Sequence, residues 1–241
     1  MKVFAKTDIG RERKLNEDFF YISKPDSNIK LYIVADGMGG YNGGEVASNV
    51  ATETAKNFIE KNLNHYKNSK EELMELVKEA IENANAKVYQ KSCENEALKG
   101  MGTTLDVCLI YGGRAYIGHV GDSRVYRIRK EFMRRITKDH SYVQTLIEDG
   151  SITKEEAYYH PKKNMLTKAL GCESNVDPDV YVKTVIADDI ILMCTDGLTN
   201  MIKEDEIYQI IKENPENAAE KLIEVANHNG GIDNITAVII C

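Results

Sequence analysis

Residues 103–136 read TTLDVCLIYGGRAYIGHVGDSRVYRIRKEFMRRI. This stretch holds four candidate strands, at about 103–111, 114–120, 124–129 and 132–136. Gly112-Gly113 between the first two is a two-residue hairpin loop, where positive φ carries no steric cost. Lys130-Glu131 makes a second tight connection. Loops this short force antiparallel pairing, because parallel neighbours need a crossover of a dozen or more residues. A parallel nucleotide-binding sheet is thereby excluded from this half of the chain.

Working outward, further strands are predicted at about 2–8, 19–23 and 30–35 upstream, and at 180–185, 189–194 and 235–240 downstream. Two long amphipathic helices separate the early strands from the meander. In 44–63 the apolar positions Val46, Ala47, Val50, Ala51, Ala55, Phe58 and Ile59 fall at helical spacing. In 70–91 the stripe is Leu73, Leu76, Val77, Ala80, Ile81, Ala84 and Val88. Short helices are expected at 141–149 and 153–158, the latter with a capping box from Thr153 to Glu156. Helices at 204–212 and 215–227 follow, the second capped by Asn214 with Pro215 in its first turn. Two sheets with helices outside bury every stripe, so the expected class is α+β.

The chain has 241 residues, no low-complexity segment and only four prolines, so one domain is expected over 1–241. Its net charge of −7 argues against a partner made of nucleic acid or anionic lipid. No apolar run near the N-terminus suggests a signal peptide, and none approaches the ~20 residues of a membrane span. The five cysteines have no CxxC spacing. Cys108 and Cys194 sit in apolar strand patterns, as small buried hydrophobes do. A reducing, cytoplasmic setting is expected.

Four separate stretches run an apolar strand or a tight turn into an aspartate: Leu31–Gly37 at Asp36, Gly118–Asp122, Ile190–Gly197 at Asp196, and Gly230–Asp233. A carboxylate at the end of a buried strand is costly unless something cationic meets it. Their number points to convergence on one cationic object. Hard oxygen donors without His or Cys in these motifs favour Mg²⁺ or Mn²⁺. Asp36-Gly37-Met38-Gly39-Gly40 is neither a GxGxxG fingerprint, since Asn42 holds the third glycine position, nor a Walker A loop. It is better read as a metal corner, with Asp36 offering carboxylate oxygens and Gly37 its carbonyl; an ordinary strand-turn-helix Asp-Gly is the alternative. Arg13 stands before the pair Glu17 and Asp18, and a guanidinium grips phosphate bidentately. A charged surface loop is the plainer reading of that stretch. Asp122 is either a ligand or a turn residue, and Asp139 or Ser141 is read as a helix cap.

In series, these motifs resemble the metal-dependent protein phosphatases of type 2C, most closely their compact bacterial members. The matching pieces are Gly10–Arg13 with Asn16-Glu17-Asp18, Asp36–Gly40, Gly100–Thr104, Gly121–Arg124, Asp139-His140-Ser141, Leu166–Gly171, Thr195–Leu198 and Asp233–Thr236. The resemblance implies two antiparallel sheets packed as a sandwich with helices on both outer faces, plus a small flap at about 141–165. It implies that Asp36 bridges two ions, that Asp196 and Asp233 complete the first, and that the Gly37 carbonyl contacts the second. Asp122 matches a third-ion ligand, Arg13 the phosphate-binding arginine, and Glu17 and Asp18 carboxylates that act through bound waters. Where some members carry a histidine after Asp-Gly, this chain has Met38. His140 and His160 are then the nearest candidates for a general acid.

The activity so implied is hydrolysis of phosphoserine and phosphothreonine in proteins, by a hydroxide bridging two divalent ions ~3.5–4 Å apart. The one Cys-x5-Arg spacing, Cys108 to Arg114, runs along an apolar strand into the Gly112-Gly113 hairpin loop, where the cysteine reads as a small buried hydrophobe and not as a nucleophile. The expected partners are phosphorylated proteins and, by analogy, an opposing Ser/Thr kinase; the chain is expected to be a monomer. A two-metal nuclease using the basic stretch 127–135, a non-catalytic phosphoprotein-binding module and a purely structural domain are the competing readings.

Overall fold

The computed structural model describes residues 1–39 and 43–241. Strands β1 (Val3–Asp8), β2 (Asp18–Ile22) and β3 (Lys30–Met38) come first, followed by helices α1 (Gly43–Tyr66) and α2 (Lys70–Glu94). The meander comprises β4 (Gly102–Thr103), β5 (Leu105–Tyr111), β6 (Arg114–Val120), β7 (Arg124–Arg129) and β8 (Phe132–Arg135). Short helices α3 (Tyr142–Glu148) and α4 (Lys154–Tyr158) lead to β9 (Asp179–Thr184) and β10 (Ile190–Cys194). A single turn, α5 (Asp196–Thr199), then precedes α6 (Glu204–Glu213), α7 (Pro215–His228) and β11 (Ile235–Ile240).

Two antiparallel sheets result. The first has the order β1-β11-β10-β7-β8, the second β2-β3-β5-β6-β9 with β4 added to β3. The meander is therefore divided: β5 and β6 form a hairpin of the second sheet, β7 and β8 one of the first, and the chain changes layer at Gly121-Asp122-Ser123. Both glycines of the Gly112-Gly113 loop have positive φ, 55° and 72°, as the two-residue loop requires.

Three apolar layers hold this α+β sandwich together. Val34, Cys108, Ile117, Val125, Met193 and Val238 pack between the sheets. The stripes of α1 and α2 bury Ala51, Ile59, Leu76 and Ile81 against the second sheet. Ile207, Ile211, Leu222 and Ala226 of α6 and α7 cover the first. Thr153 and Glu156 make the reciprocal capping box, and the Asn214 side chain caps α7 above Pro215. Cys108 and Cys194 are buried, and burial pushes the Cys108 thiol up to about 12, so neither is a nucleophile.

Gly118 on β6 lies directly under α2. A Cβ there would stand 2.5 Å from Ile81 Cδ1 and 2.6 Å from Val77 Cγ1. Gly118→Ala is therefore expected to lower unfolding stability by about 1–3 kcal/mol in urea denaturation.

One local reading is corrected and one short element is added. β3 does not end at Ala35 but runs through Asp36 and Gly37 to Met38, because β4 pairs with its end. Asp196 opens a one-turn helix, too short for any periodicity to announce. Gly40 and Asn42, the end of the glycine motif, lie outside the described residues.

Candidate metal centre

The site is built at one end of the sandwich, where strands of both layers stop. Asp18 and Asp36 are directly opposed partners across β2 and β3. Like charges facing each other on paired strands repel. Thr104 fixes Asp36 from behind: its hydroxyl accepts from the Asp36 N–H at 2.9 Å and its N–H donates to the Asp36 carbonyl at 2.9 Å. The Thr103 hydroxyl donates to that same carbonyl at 2.9 Å. The Gly-Met-Gly-Thr-Thr motif thus sets the position of Asp36. Gly37 is needed for close approach, since a Cβ there would strike the carbonyl oxygens of Gly44 and Glu17. The Glu17 carboxylate lies at the N-terminus of α1, where the N–H groups of Gly44 and Glu45 face it.

The first sheet supplies the opposite wall. Asp196 follows β10, and Asn200 donates to its Oδ2 at 3.0 Å. Asp233 precedes β11 and accepts from Arg13 at 2.8 Å. Asn234 ties the loop before β2 to this wall: its side chain donates to the carbonyls of Ile9 and Leu15 and accepts from the Glu17 N–H. Gly197 lets the two loops of this wall touch, for a Cβ there would collide with the Asn234 carbonyl. Asp18 spans the layers, its Oδ2 accepting from the hydroxyls of Thr195 at 2.9 Å and Thr236 at 2.6 Å.

Asp122 stands where the chain changes layer. The Thr104 and Ser123 hydroxyls share a hydrogen bond of 2.8 Å, and His140 returns its N–H to the Gly121 carbonyl at 2.7 Å. Ser141 does cap α3, but Asp139 is no cap. It takes two bonds from Arg124 Nε and Nη2 and a third contact from Arg135, in a largely buried cluster.

The electrostatics of Asp18, Asp36, Asp122 and Asp196 are those of poorly compensated anions. Burial pushes Asp36 well above the usual carboxylate range, and Asp18, Asp196, Asp122 and Asp233 push it further. Burial raises Asp18 to about 7 against the pull of its two threonines, and raises Asp196 to about 6 with Asp233 adding to it. Asp122 moves up for the same reason, then through Asp196 and Asp139. Burial also lifts Glu17. Asp18 Oδ1 and Glu17 Oε1 are buried without any hydrogen-bond partner. Such an atom is expensive unless a cation or a water meets it. No three His, Cys, Asp or Glu side chains among the described residues stand in a closed ligand set, so binding an ion requires the carboxylates to draw in. The donor set is all hard oxygen, with orphaned lone pairs and mutual repulsion, and this fits Mg²⁺ or Mn²⁺.

Arg13 is half exposed at the rim, paired with Asp233. Of the two histidines raised as a general acid, His140 is engaged at both ring nitrogens and His160 at one. Burial lowers His140 to about 4, with His119 and Lys168 adding to it; its Nδ1 accepts from the Gly121 N–H and its Nε2 faces Asp179 at 3.6 Å. His160 lies on the segment after α4, its Nδ1 accepting from the Lys162 N–H and its ring against Tyr142. A cavity of about 790 Å³ runs from Asp122 and Asp196 to Val143, Ile147 and Tyr158 of α3 and α4. Tyr158 donates to the Asn200 carbonyl at 2.9 Å, closing the far side.

The described residues include a second buried pair that sequence reasoning did not single out. His119 and Asp106, opposite each other on β6 and β5, meet at 2.6 Å in the core of the second sheet.

A family profile described as "Protein phosphatase 2C" matches residues 10–228. The chain belongs to the protein phosphatase 2C family. Among curated members, it is 37% identical over 237 residues to the serine/threonine phosphatase stp of Listeria monocytogenes, covering 98% of this chain and 93% of that one. Among solved structures, the serine/threonine phosphatase Stp1 of Staphylococcus aureus superposes with a TM-score of 0.89 at 33% identity, covering 99% and 93% of the two chains. The catalytic domain of the serine threonine protein phosphatase PstP, solved in complex with two manganese ions, gives 0.85 at 32% identity and covers 99% and 96%. The end of the phosphatase 2C sandwich carrying the opposed aspartates is thus described in a family with a manganese-bound relative. None of the described helices is long and apolar enough to cross a membrane.

Proposed function

We propose that the protein releases phosphate from phosphoserine and phosphothreonine side chains of proteins at a divalent-metal centre. The carrying observation is the cross-strand pair Asp18 and Asp36, set in a buried carboxylate cluster with orphaned oxygens, on a phosphatase 2C frame. In this reading Asp36, the Gly37 carbonyl, Asp196 and Asp233 hold two Mn²⁺ or Mg²⁺ ions. Asp122 serves a third, and Glu17 and Asp18 act through water. Bound there, the ions supply Lewis acidity, which acidifies an attacking water and offsets phosphoryl charge.

The chain's own residues do the rest. Thr103 and Thr104 keep Asp36 in place, and Asn200 orients Asp196. Arg13, anchored on Asp233 at the mouth, offers its remaining N–H donors to the equatorial oxygens of the phosphoryl group. The whole chain, 1–241, acts as one catalytic domain, and the segment 141–165 is its flap. As a working unit it is a cytoplasmic monomer, set against a Ser/Thr kinase acting on the same proteins.

The test is phosphate release from a phosphothreonine peptide. Activity is expected with Mn²⁺, loss with EDTA and recovery on adding Mn²⁺ back; activity indifferent to chelation would refute the metal centre. Arg13→Ala is expected to raise KM about 10- to 100-fold with a smaller change in kcat, as loss of a charge-assisted contact of about 1.5–3 kcal/mol implies. An unchanged KM would remove Arg13 from phosphate binding.

A further inference from the structure

The β7–β8 hairpin carries a feature that the metal centre does not use. Arg127 faces Arg134 across the strand pair, and Arg129 faces Phe132. These four side chains share the strand face that, at Val125, enters the core between the sheets. At this corner only the end of β9 reaches that face, its Thr184 carbonyl accepting from Arg127 and Arg129. Phe132 is 66% exposed. With Lys130 the four line a shallow depression of about 280 Å³.

Arg129 is neutralised by Asp189 at 2.6 Å. Arg127 reaches only the Thr184 carbonyl, at 3.4 Å. Among the described residues, Arg134 and Lys130 have no carboxylate partner. Like charges placed opposite each other on paired strands destabilise the sheet. An exposed phenylalanine beside them gains nothing from water. Both costs end when an anionic chain with an apolar side chain covers the face. Arginine and phenylalanine are also the residue types enriched at protein interfaces. The protein as a whole carries −7, so this cationic corner stands out against a repelling surface and orients an acidic partner toward itself. Arg134 also lines the far rim of the cavity that reaches Asp122 and Asp196, so the corner and the metal centre are continuous.

We propose that the β7–β8 corner is a docking site for an acidic segment, bearing at least one apolar residue, of the phosphoprotein substrate. The proposal rests on the phosphatase reading above for the word substrate, while the docking itself is testable without it. Three substrates are compared with Mn²⁺: p-nitrophenyl phosphate, a phosphothreonine peptide linked to an Asp/Glu/Leu segment, and the same peptide with Asn and Gln in place of the acids. The acidic peptide is expected to have a kcat/KM about 10-fold above its neutral twin, through KM. Arg134→Glu and Phe132→Ser are each expected to abolish that preference while leaving p-nitrophenyl phosphate turnover unchanged. Arg134→Glu gives Arg127 an opposite charge across the strands, so folding is retained. Equal rates on the two peptides, a preference that survives both variants, or an equal loss on p-nitrophenyl phosphate would overturn the docking site. A wild-type protein inert toward all three would overturn the phosphatase reading alone. Fluorescence anisotropy of the unphosphorylated acidic segment then decides the docking question: about 10-fold weaker binding to Arg134→Glu supports it, and no binding to either protein overturns it. An oligonucleotide that displaces the segment more strongly than the unlabelled segment itself would assign the corner to nucleic acid and overturn the proposal.

Discussion

Asp36→Asn is expected to lower phosphate release by at least about 10³-fold while leaving the protein folded. Four other carboxylates act on this side chain. An amide keeps the shape and one oxygen but gives up the charge that binding a hard cation needs. The backbone around it is secured by Thr103 and Thr104, whose bonds to the Asp36 main chain do not involve the carboxylate. Asp18, directly across the strands, loses a repelling neighbour in the variant. In EDTA the Asn variant is therefore expected to melt at or above the wild-type temperature, while its activity with Mn²⁺ is gone. Thermal denaturation and a phosphate-release assay on one preparation check both halves. Wild-type turnover, or collapse of the fold in EDTA, would refute the role given to Asp36.

The second large effect concerns stability. His119→Ala is expected to cost about 3–5 kcal/mol, because it strands the Asp106 carboxylate in the core. Both residues are fully buried. His119 Nε2 meets the Lys138 carbonyl at 2.9 Å, and a carbonyl only accepts, so that nitrogen carries a proton. The 2.6 Å contact at Nδ1 needs a second proton between ring and carboxylate. Burial alone would lower the histidine, but Asp106 and the Lys138 carbonyl outweigh it and raise it. Burial also lifts Asp106 against the pull of His119. The two shifts disagree on which partner holds the shared proton and agree that the pair retains it. The sign follows: the unfolded histidine loses its proton near pH 6.5, and the folded pair keeps one for longer. The stabilisation is therefore complete below about pH 6.5 and is lost as pH rises through the raised folded value. Urea titrations at several pH values should show wild type weakening upward from neutrality more steeply than His119→Ala, since the raised aspartates of the metal centre titrate in both proteins. A parallel pH dependence in both proteins would show that the pair is not its source.

How much of this was legible in the sequence depended on the range of the signal. The meander was legible because a two-residue loop fixes its own register. That same register, carried a few steps from Gly112-Gly113, already puts Asp106 opposite His119, a signal present and not used. The helix stripes were legible because α1 and α2 each bury one face. Asp36, Asp122, Asp196 and Asp233 stood out because each follows an apolar run or a tight turn, and the structure places them in one electrostatic neighbourhood. The end of β3 was not legible, since Asp-Gly looks like a turn until β4, more than sixty residues on, pairs with it. Nor was the Arg124–Asp139 clamp, which exists only once β7 and the loop before α3 come together. The tie from Asn234 to Ile9 and Leu15 joins opposite ends of the chain, beyond any local pattern.

Asp18 hangs from the second sheet, and the two hydroxyls that grip it belong to the first. The reactive end of the molecule thereby works as a vernier for the alignment of its two layers. A shear between them too small to break any strand ladder still pulls the carboxylates of one wall out of step with those of the other. Turnover should then respond to pressure, or to a partner gripping the sandwich from its far side, as a sensitive gauge of that slip, with no contact to the phosphate pocket at all.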